Sequence, residues 1–267
     1  MAHTPSSTAP AGRTGAATAP SSRYTILGYQ FACVAGLFAL WELAIRSGFA
    51  PVYLYGQPSG VFTKAVQLLT EGDLLTHLGI TAFEAITGFV LGTTLGSLVG
   101  LSLWLSDTVA KTLRPIIVAI NGVPKIALAP LIIVWFGVGL GAKVAIAAIL
   151  TFIVALITVY QGTQEIDFDL VRMMRSLGAK RSMIWRKVIV PGSVPWIMST
   201  LRLNIGFAMI GAVVGEYISA KQGIGFFIYN AGALYDLNAV YVGIFGLMAL
   251  ALVLDYIVVK IEAKFKW

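Results

Sequence analysis

Charge is scarce in this chain: Asp, Glu, Lys and Arg together make up 12% of it, about half of what a water-soluble domain carries. A single core wrapped in a solvated surface is excluded, because 58% of the residues are hydrophobic and an apolar excess of that size needs the bilayer as its solvent. One cysteine, Cys33, excludes an internal disulfide. It lies within an apolar run, away from any metal partner, and a buried, inert thiol is expected there. No G-x-x-x-x-G-K-[ST] phosphate loop occurs; the Gly-Ala-Lys triplets at Gly141 and Gly178 lack both the leading spacing and a following Ser or Thr. No cofactor is therefore expected in this chain. Carboxylates, histidines and serines do not cluster as a membrane-embedded enzyme requires, so no catalytic residues are expected. His77 and Glu84 are seven apart without a third ligand, which argues against a metal site. The net charge of +7 is spread between apolar runs rather than along a stripe with interleaved aromatics, so a lipid surface rather than nucleic acid is the partner.

Residues 1–22 are nearly all Ala, Ser, Thr, Pro and Gly, a composition that cannot offset its own ordering entropy, and a disordered cytoplasmic tail is expected. From 23 to 267 the chain has the pattern of one membrane-spanning domain. The run Ile26 to Ile45 is longer than a signal-peptide core and has no small-residue cleavage site after it, which makes it a first membrane helix. At about 20 apolar residues per crossing, further spans fall near 77–104, 113–136, 142–163, 194–218 and 238–260. The fold class is all-α and polytopic, with about six transmembrane helices.

Six crossings put both termini on one face, and loop cations decide which. With the termini cytoplasmic, that side carries Arg13, Arg23, Lys111, Arg114, Arg172, Arg175, Lys180, Arg181, Arg186, Lys187, Lys260, Lys264 and Lys266, 13 of the 19 basic residues. Arg46, Lys64, Lys143 and Lys221 fall opposite, and Lys125 and Arg202 lie within helices. The expectation is a multi-pass protein of the bacterial inner membrane with both termini cytoplasmic. In the second span Gly88, Gly92, Gly96 and Gly100 recur every four residues, which lets another backbone approach closely. The outer loop holds an amphipathic stretch from Val61 to Leu69 suited to the membrane interface.

The segment from about 164 to 195 is too polar to cross. Asp167 or Asp169 can cap a short helix with Leu170, Val171, Met174 and Leu177 at helical spacing. Gly178 sits where a helix end calls for the left-handed conformation, and a second basic-apolar helix with Ile184, Trp185 and Val188 runs to Pro191. Its apolar stripe fits either the lipid surface or a groove on a partner.

That segment, LVRMMRSLGAKRSMIWRKVIVPGSVP, resembles the cytoplasmic loop of binding-protein-dependent ABC importer permeases, and NGVPKIALAPLIIVWFGVG from Asn121 to Gly139 resembles their nitrate, sulfonate and taurine branch. The resemblance implies a permease subunit powered by two separate ATP-binding subunits, served by an extracytoplasmic solute-binding protein, and paired with a second permease copy, a homodimer being expected. It implies a small solute, a sulfonate, nitrate or aromatic carboxylate, and coupling to the ATPase through Asp169, Arg175, Leu177, Gly178, Ala179 and Pro191. The chain departs from the family at Arg172, Met173 and Met174, which stand where Glu-Ala-Ala is usual, and at Glu84, where relatives often carry a basic residue.

Pro115, Pro124 and Pro130 interrupt the third span, and irregular backbone at membrane depth is tolerated only against protein or a water-filled cavity. Asn121, Pro124 and Lys125 at that break are pathway candidates. A straight helix counted inward from Arg114 puts Lys125 about 16 Å deep, where it either attracts an anionic substrate or snorkels to a headgroup. Glu216, in the fifth span, is placed near the outer interface by the same count, as a gate or binding-protein contact or as a structural carboxylate. An ion-coupled secondary transporter is the alternative class; it calls for paired intramembrane acids and an inverted repeat, and the intramembrane polar groups look scattered.

Overall fold

The computed structural model describes residues 23–219 and 221–265. The tail expected over 1–22 lies outside them, as does Lys266. The described chain is helical, with no strand among the described residues. It divides into two units, 1–49 and 50–267.

The first unit contributes one helix, α1 (Arg23–Arg46), capped at its end by an Arg46–Glu42 ion pair one turn apart. Its apolar residues from Ile26 to Leu40 are exposed, as a helix bathed in lipid requires, and only the last turns, at Trp41, Ala44 and Ile45, are partly or fully buried. Cys33 shares that exposure. The expectation of a buried thiol was therefore incorrect: the apolar run around Cys33 is matched to the bilayer and not to a protein core.

The second unit holds α2 (Pro58–Thr70), α3 (Asp73–Leu103), α4 (Asp107–Gly122), α5 (Ala129–Phe136), α6 (Leu140–Gln164), α7 (Phe168–Ser176), α8 (Val194–Ser219), α9 (Ile224–Ala233) and α10 (Leu237–Phe265). With α1, five helices are long and apolar enough to cross a membrane, or six when α4 and the Lys125–Phe136 segment count as one broken span. That pair bends by 91°, at the break that the prolines of the span over 113–136 lead one to expect. The cause is local. Val123 precedes a proline and is extended, with ψ of 132°, and Pro124 cannot donate to the preceding turn. Pro115 is accommodated inside α4, and Pro130 sits in the first turn of α5, where its missing N–H is harmless.

The core is built by α3, α6 and α8. Gly88, Gly92, Gly96 and Gly100 lie along the α3 face that meets α6 between Val144 and Tyr160. A Cβ at Gly92 would collide with the Ala148 carbonyl and the Thr151 hydroxyl, and one at Gly100 would lie 2.8 Å from the Leu156 carbonyl oxygen. Hydrogen alone fits. Where backbones come this close, polar groups reach across: the Thr151 hydroxyl lies 3.2 Å from the Gly88 carbonyl oxygen, and the Asn204 amide of α8 donates to Thr93 Oγ1 at 2.8 Å and to the Thr151 carbonyl at 3.0 Å. Gly211 and Gly215 of α8 repeat the device against Ala147 and Lys143. Outside this core, α2 is anchored to α10, since Asn238 Oδ1 accepts from the Gln57 N–H at 2.9 Å and Lys64 pairs with Asp236 at 3.1 Å.

Candidate functional site

Two constructions stand out, a loop platform at one end of the helices and a charged cluster buried between them. The platform starts with α7. Asp167 is its N-cap, accepting from the Asp169 N–H at 2.8 Å; Asp169 itself is exposed and 3.6 Å from Arg172. The helix ends in a turn in which the Ala179 N–H donates to the Met174 carbonyl and the Gly178 N–H to the Arg175 carbonyl. This six-to-one, five-to-two pattern needs a left-handed residue, and Gly178 supplies it with φ of 78°. Val171 is buried with Ile184 and Ile189, while Leu170 and Leu177 of the expected apolar stripe are exposed. Leu177 is 75% exposed, next to a glycine with open space around it.

Beyond Lys180 the chain forms a helical turn, Arg181–Ile184, then a π-turn, Trp185–Ile189, then Val190–Gly192 leading toward α8. Pro191 has no N–H to give to the turn before it, and the widened π-turn precedes it, with the Val190 N–H reaching back to the Trp185 carbonyl. The platform is fastened to the membrane helices by two side chains. The Arg181 guanidinium donates to both Asp107 oxygens, at 2.9 and 3.2 Å, and to the Trp104 carbonyl at 2.7 Å; Trp185 Nε1 donates to the Leu101 carbonyl at 2.9 Å. These contacts satisfy backbone carbonyls left open at the end of α3. Trp104 is part of this fastening, with Arg181 stacked over its ring.

The buried cluster joins α3, α6, α8 and the start of α9. Lys143 is 6% exposed and Glu84 fully buried, with Nζ 2.6 Å from Oε1. Glu216 is 1% exposed; its Oε1 accepts from the Thr81 hydroxyl at 2.6 Å and its Oε2 from the Gly225 N–H at 2.5 Å, at the N-terminus of α9. The Ile224 N–H donates to Thr81 Oγ1 and the Gly223 N–H to His77 Nδ1. Glu84 Oε2 has no hydrogen-bond partner among the described residues. Gly223 and Gly225 are required here, because a Cβ on either would run into Glu216.

Several sequence expectations change at this point. Lys143, counted among the outer loop and helix-end cations, is the buried partner of Glu84. Intramembrane polar groups are gathered, not scattered. Glu216 packs inside the chain with both oxygens engaged, because the loop after α8 folds back over it. Lys125 is half-buried and donates to Asn121 Oδ1 at 3.2 Å, following Pro124 in a short 3-10 turn. The depth of 16 Å inferred for it assumed a straight helix and does not survive the 91° break. Among the described residues no group of three His, Cys, Asp or Glu side chains is arranged to hold a metal.

Residues 92–267 match the family described as binding-protein-dependent transport system inner membrane component. Among curated proteins, the putative aliphatic sulfonates transport permease SsuC of Escherichia coli is 34% identical over 78% of this chain and 80% of its own length. The formylaminopyrimidine transport permease ThiX of Halalkalibacterium halodurans is 30% identical over 84% and 88%. The riboflavin transport system permease RibX of Chloroflexus aurantiacus is 31% identical over 82% and 81%. A chain of the inward-facing MetNI methionine ABC transporter shares the fold, with a TM-score of 0.60 at 21% identity over 75% of this chain and 97% of that one. The glycine-packed helices and the fastened loop platform thus belong to a transport permease and not an enzyme: the chain is a member of the binding-protein-dependent ABC permease family, a multi-span component of the inner membrane.

Proposed function

We propose that the chain forms, with a second copy of itself, the pathway of an importer driven by two ATP-binding subunits and loaded by an extracytoplasmic solute-binding protein. The observation that carries this reading is the platform: an exposed Leu177–Gly178 corner on a loop fastened through Arg181 and Trp185 to the ends of the membrane helices. A push on that corner is transmitted to α3 and α4 without slack, because each fastening is a hydrogen bond to backbone or a two-point ion pair. Asp169, Arg175, Leu177, Gly178, Ala179 and Pro191 are the residues assigned to ATPase coupling, with ATP held by the partner. The bias of the loop cations supports a cytoplasmic platform with both termini on the same side.

Asn121, Pro124 and Lys125, at the bend of the broken span, are assigned to the pathway, since a break of this kind lies against protein or a water-filled cavity. The substrate is a small anion such as a sulfonate, nitrate or aromatic carboxylate; the cation at Lys125 and the sulfonate relatives support that class. The test is ATP hydrolysis in proteoliposomes containing the chain, its ATPase and a binding protein loaded with candidate anions in turn. Stimulation by one liganded binding protein confirms the importer and identifies the solute. Purification without an ATPase, and no stimulation by any candidate, refutes it.

A further inference from the structure

The platform closes over a cavity of about 480 Å³. Its walls are the last turn of α3, the first two turns of α4, the end of α6 and the inner face of the loop. Lys111, Arg114, Arg175 and Arg181 line it against one acid, Asp107, and Asp107 is already held by Arg181. Lys111, Arg114 and Arg175 form no salt bridge with any described residue. A neighbouring cavity of about 470 Å³ shares Arg114, Tyr160 and Gln164.

Position decides what such a cavity holds. Leu103 and Gln164 are the last residues of two spans and Asp107 the first of a third, so the lining sits where hydrocarbon gives way to headgroups. Trp104, Tyr160 and Phe168 add aromatic edges suited to that depth. Basic pockets between membrane helices bind phosphate headgroups, and 480 Å³ is within the range of small-ligand sites. We infer that this cavity is a binding site for a phosphate oxyanion, supplied by the headgroup of an anionic phospholipid, and that the bound lipid braces the platform against the membrane helices. The site requires only that the cavity lie at headgroup level, on whichever face, and is independent of the solute transported.

The test uses the transporter purified with its ATPase and examined by native mass spectrometry after addition of phosphatidylglycerol, phosphatidylcholine or inorganic phosphate. Failure of the ATPase to copurify counts against the importer reading and leaves the lipid measurement on the permease intact. The wild type is expected to retain phosphatidylglycerol over phosphatidylcholine. Each removed charge is worth about fivefold in retention, so K111Q/R114Q/R175Q is expected to lose on the order of a hundredfold. The charge-keeping variant R114K/R175K is expected to retain the lipid, which separates charge from folding. Displacement of the lipid by millimolar phosphate, with phosphate itself retained, assigns the same oxyanion site to a free anion. Equal retention by wild type and triple variant, no preference over phosphatidylcholine, or retention only once the ATPase is stripped away overturns the inference; the last result means that an ATPase side chain fills the cavity.

Discussion

Replacing Lys143 by methionine removes the cation that faces Glu84 in a buried cluster that also holds Glu216. The pair is shielded from water, at 8% and 0% side-chain exposure with a 2.6 Å contact, so no discount for solvent screening applies. Deleting one partner of such a pair costs about 3 to 5 kcal/mol, because the remaining charge stays buried without compensation. At about 1.4 kcal/mol per tenfold, the folded population falls by roughly two to four orders of magnitude relative to the unfolded one. Glu84→Gln is expected to cost less, because Lys143 is left without its partner while Glu216 remains close by. The double variant K143M/E84Q removes both charges from the pair and is expected within about 1 to 2 kcal/mol of wild type. SDS titration in mixed micelles, followed by the fluorescence of the six tryptophans, measures all three. If the double variant costs as much as the two singles added together, the pair has no coupling energy and the reasoning fails.

Gly92→Ala places a methyl against the Ala148 carbonyl and should destabilise by about 1 to 3 kcal/mol, whereas Gly79→Ala, with nothing within 4 Å of the added carbon, should be neutral in the same titration. Gly178→Val forces a β-branched residue to φ of 78°, a strain of about 1 to 3 kcal/mol; solute imported per ATP hydrolysed should fall, and unchanged uptake would remove Gly178 from coupling. Arg181→Ala frees the platform from Asp107 and Trp104 and should lower ATPase stimulation by loaded binding protein while ATPase copurification persists. Lys125→Gln should reduce uptake of an anionic solute with hydrolysis intact if the bend lines the pathway.

Much of the fold was legible because the bilayer imposes a coarse rule: runs of about 20 apolar residues, closed by loop cations. The glycines of α3 and the turn at Gly178 carry local signals, a four-residue spacing and a helix end followed by a basic segment. The buried cluster carries none. Lys143 and Glu84 are 59 positions apart, and a lysine three residues into a span looks like any end-of-helix cation until α3 is seen beside it. The partners of Glu216 were not readable because the Gly223–Gly225 segment turns back onto α3, a reversal that a count of rise per residue cannot register. Pro124 signalled a break, but the size of the bend depends on the packing of α5 against α6.

The contact between α3 and α6 also limits which parts of the molecule can move. Side chains that interdigitate can exchange rotamers and slide past one another, yet between Gly88 and Gly100 there is backbone against backbone, with Asn204 bonded to both helices. These helices have one seating, and tilting them apart would break the Asn204 bonds together with the close backbone packing. They form the keel of the subunit. A transport cycle therefore turns the keel as one body, and an opening that changes shape within a subunit falls outside it, as at the hinge of Val123 and Pro124.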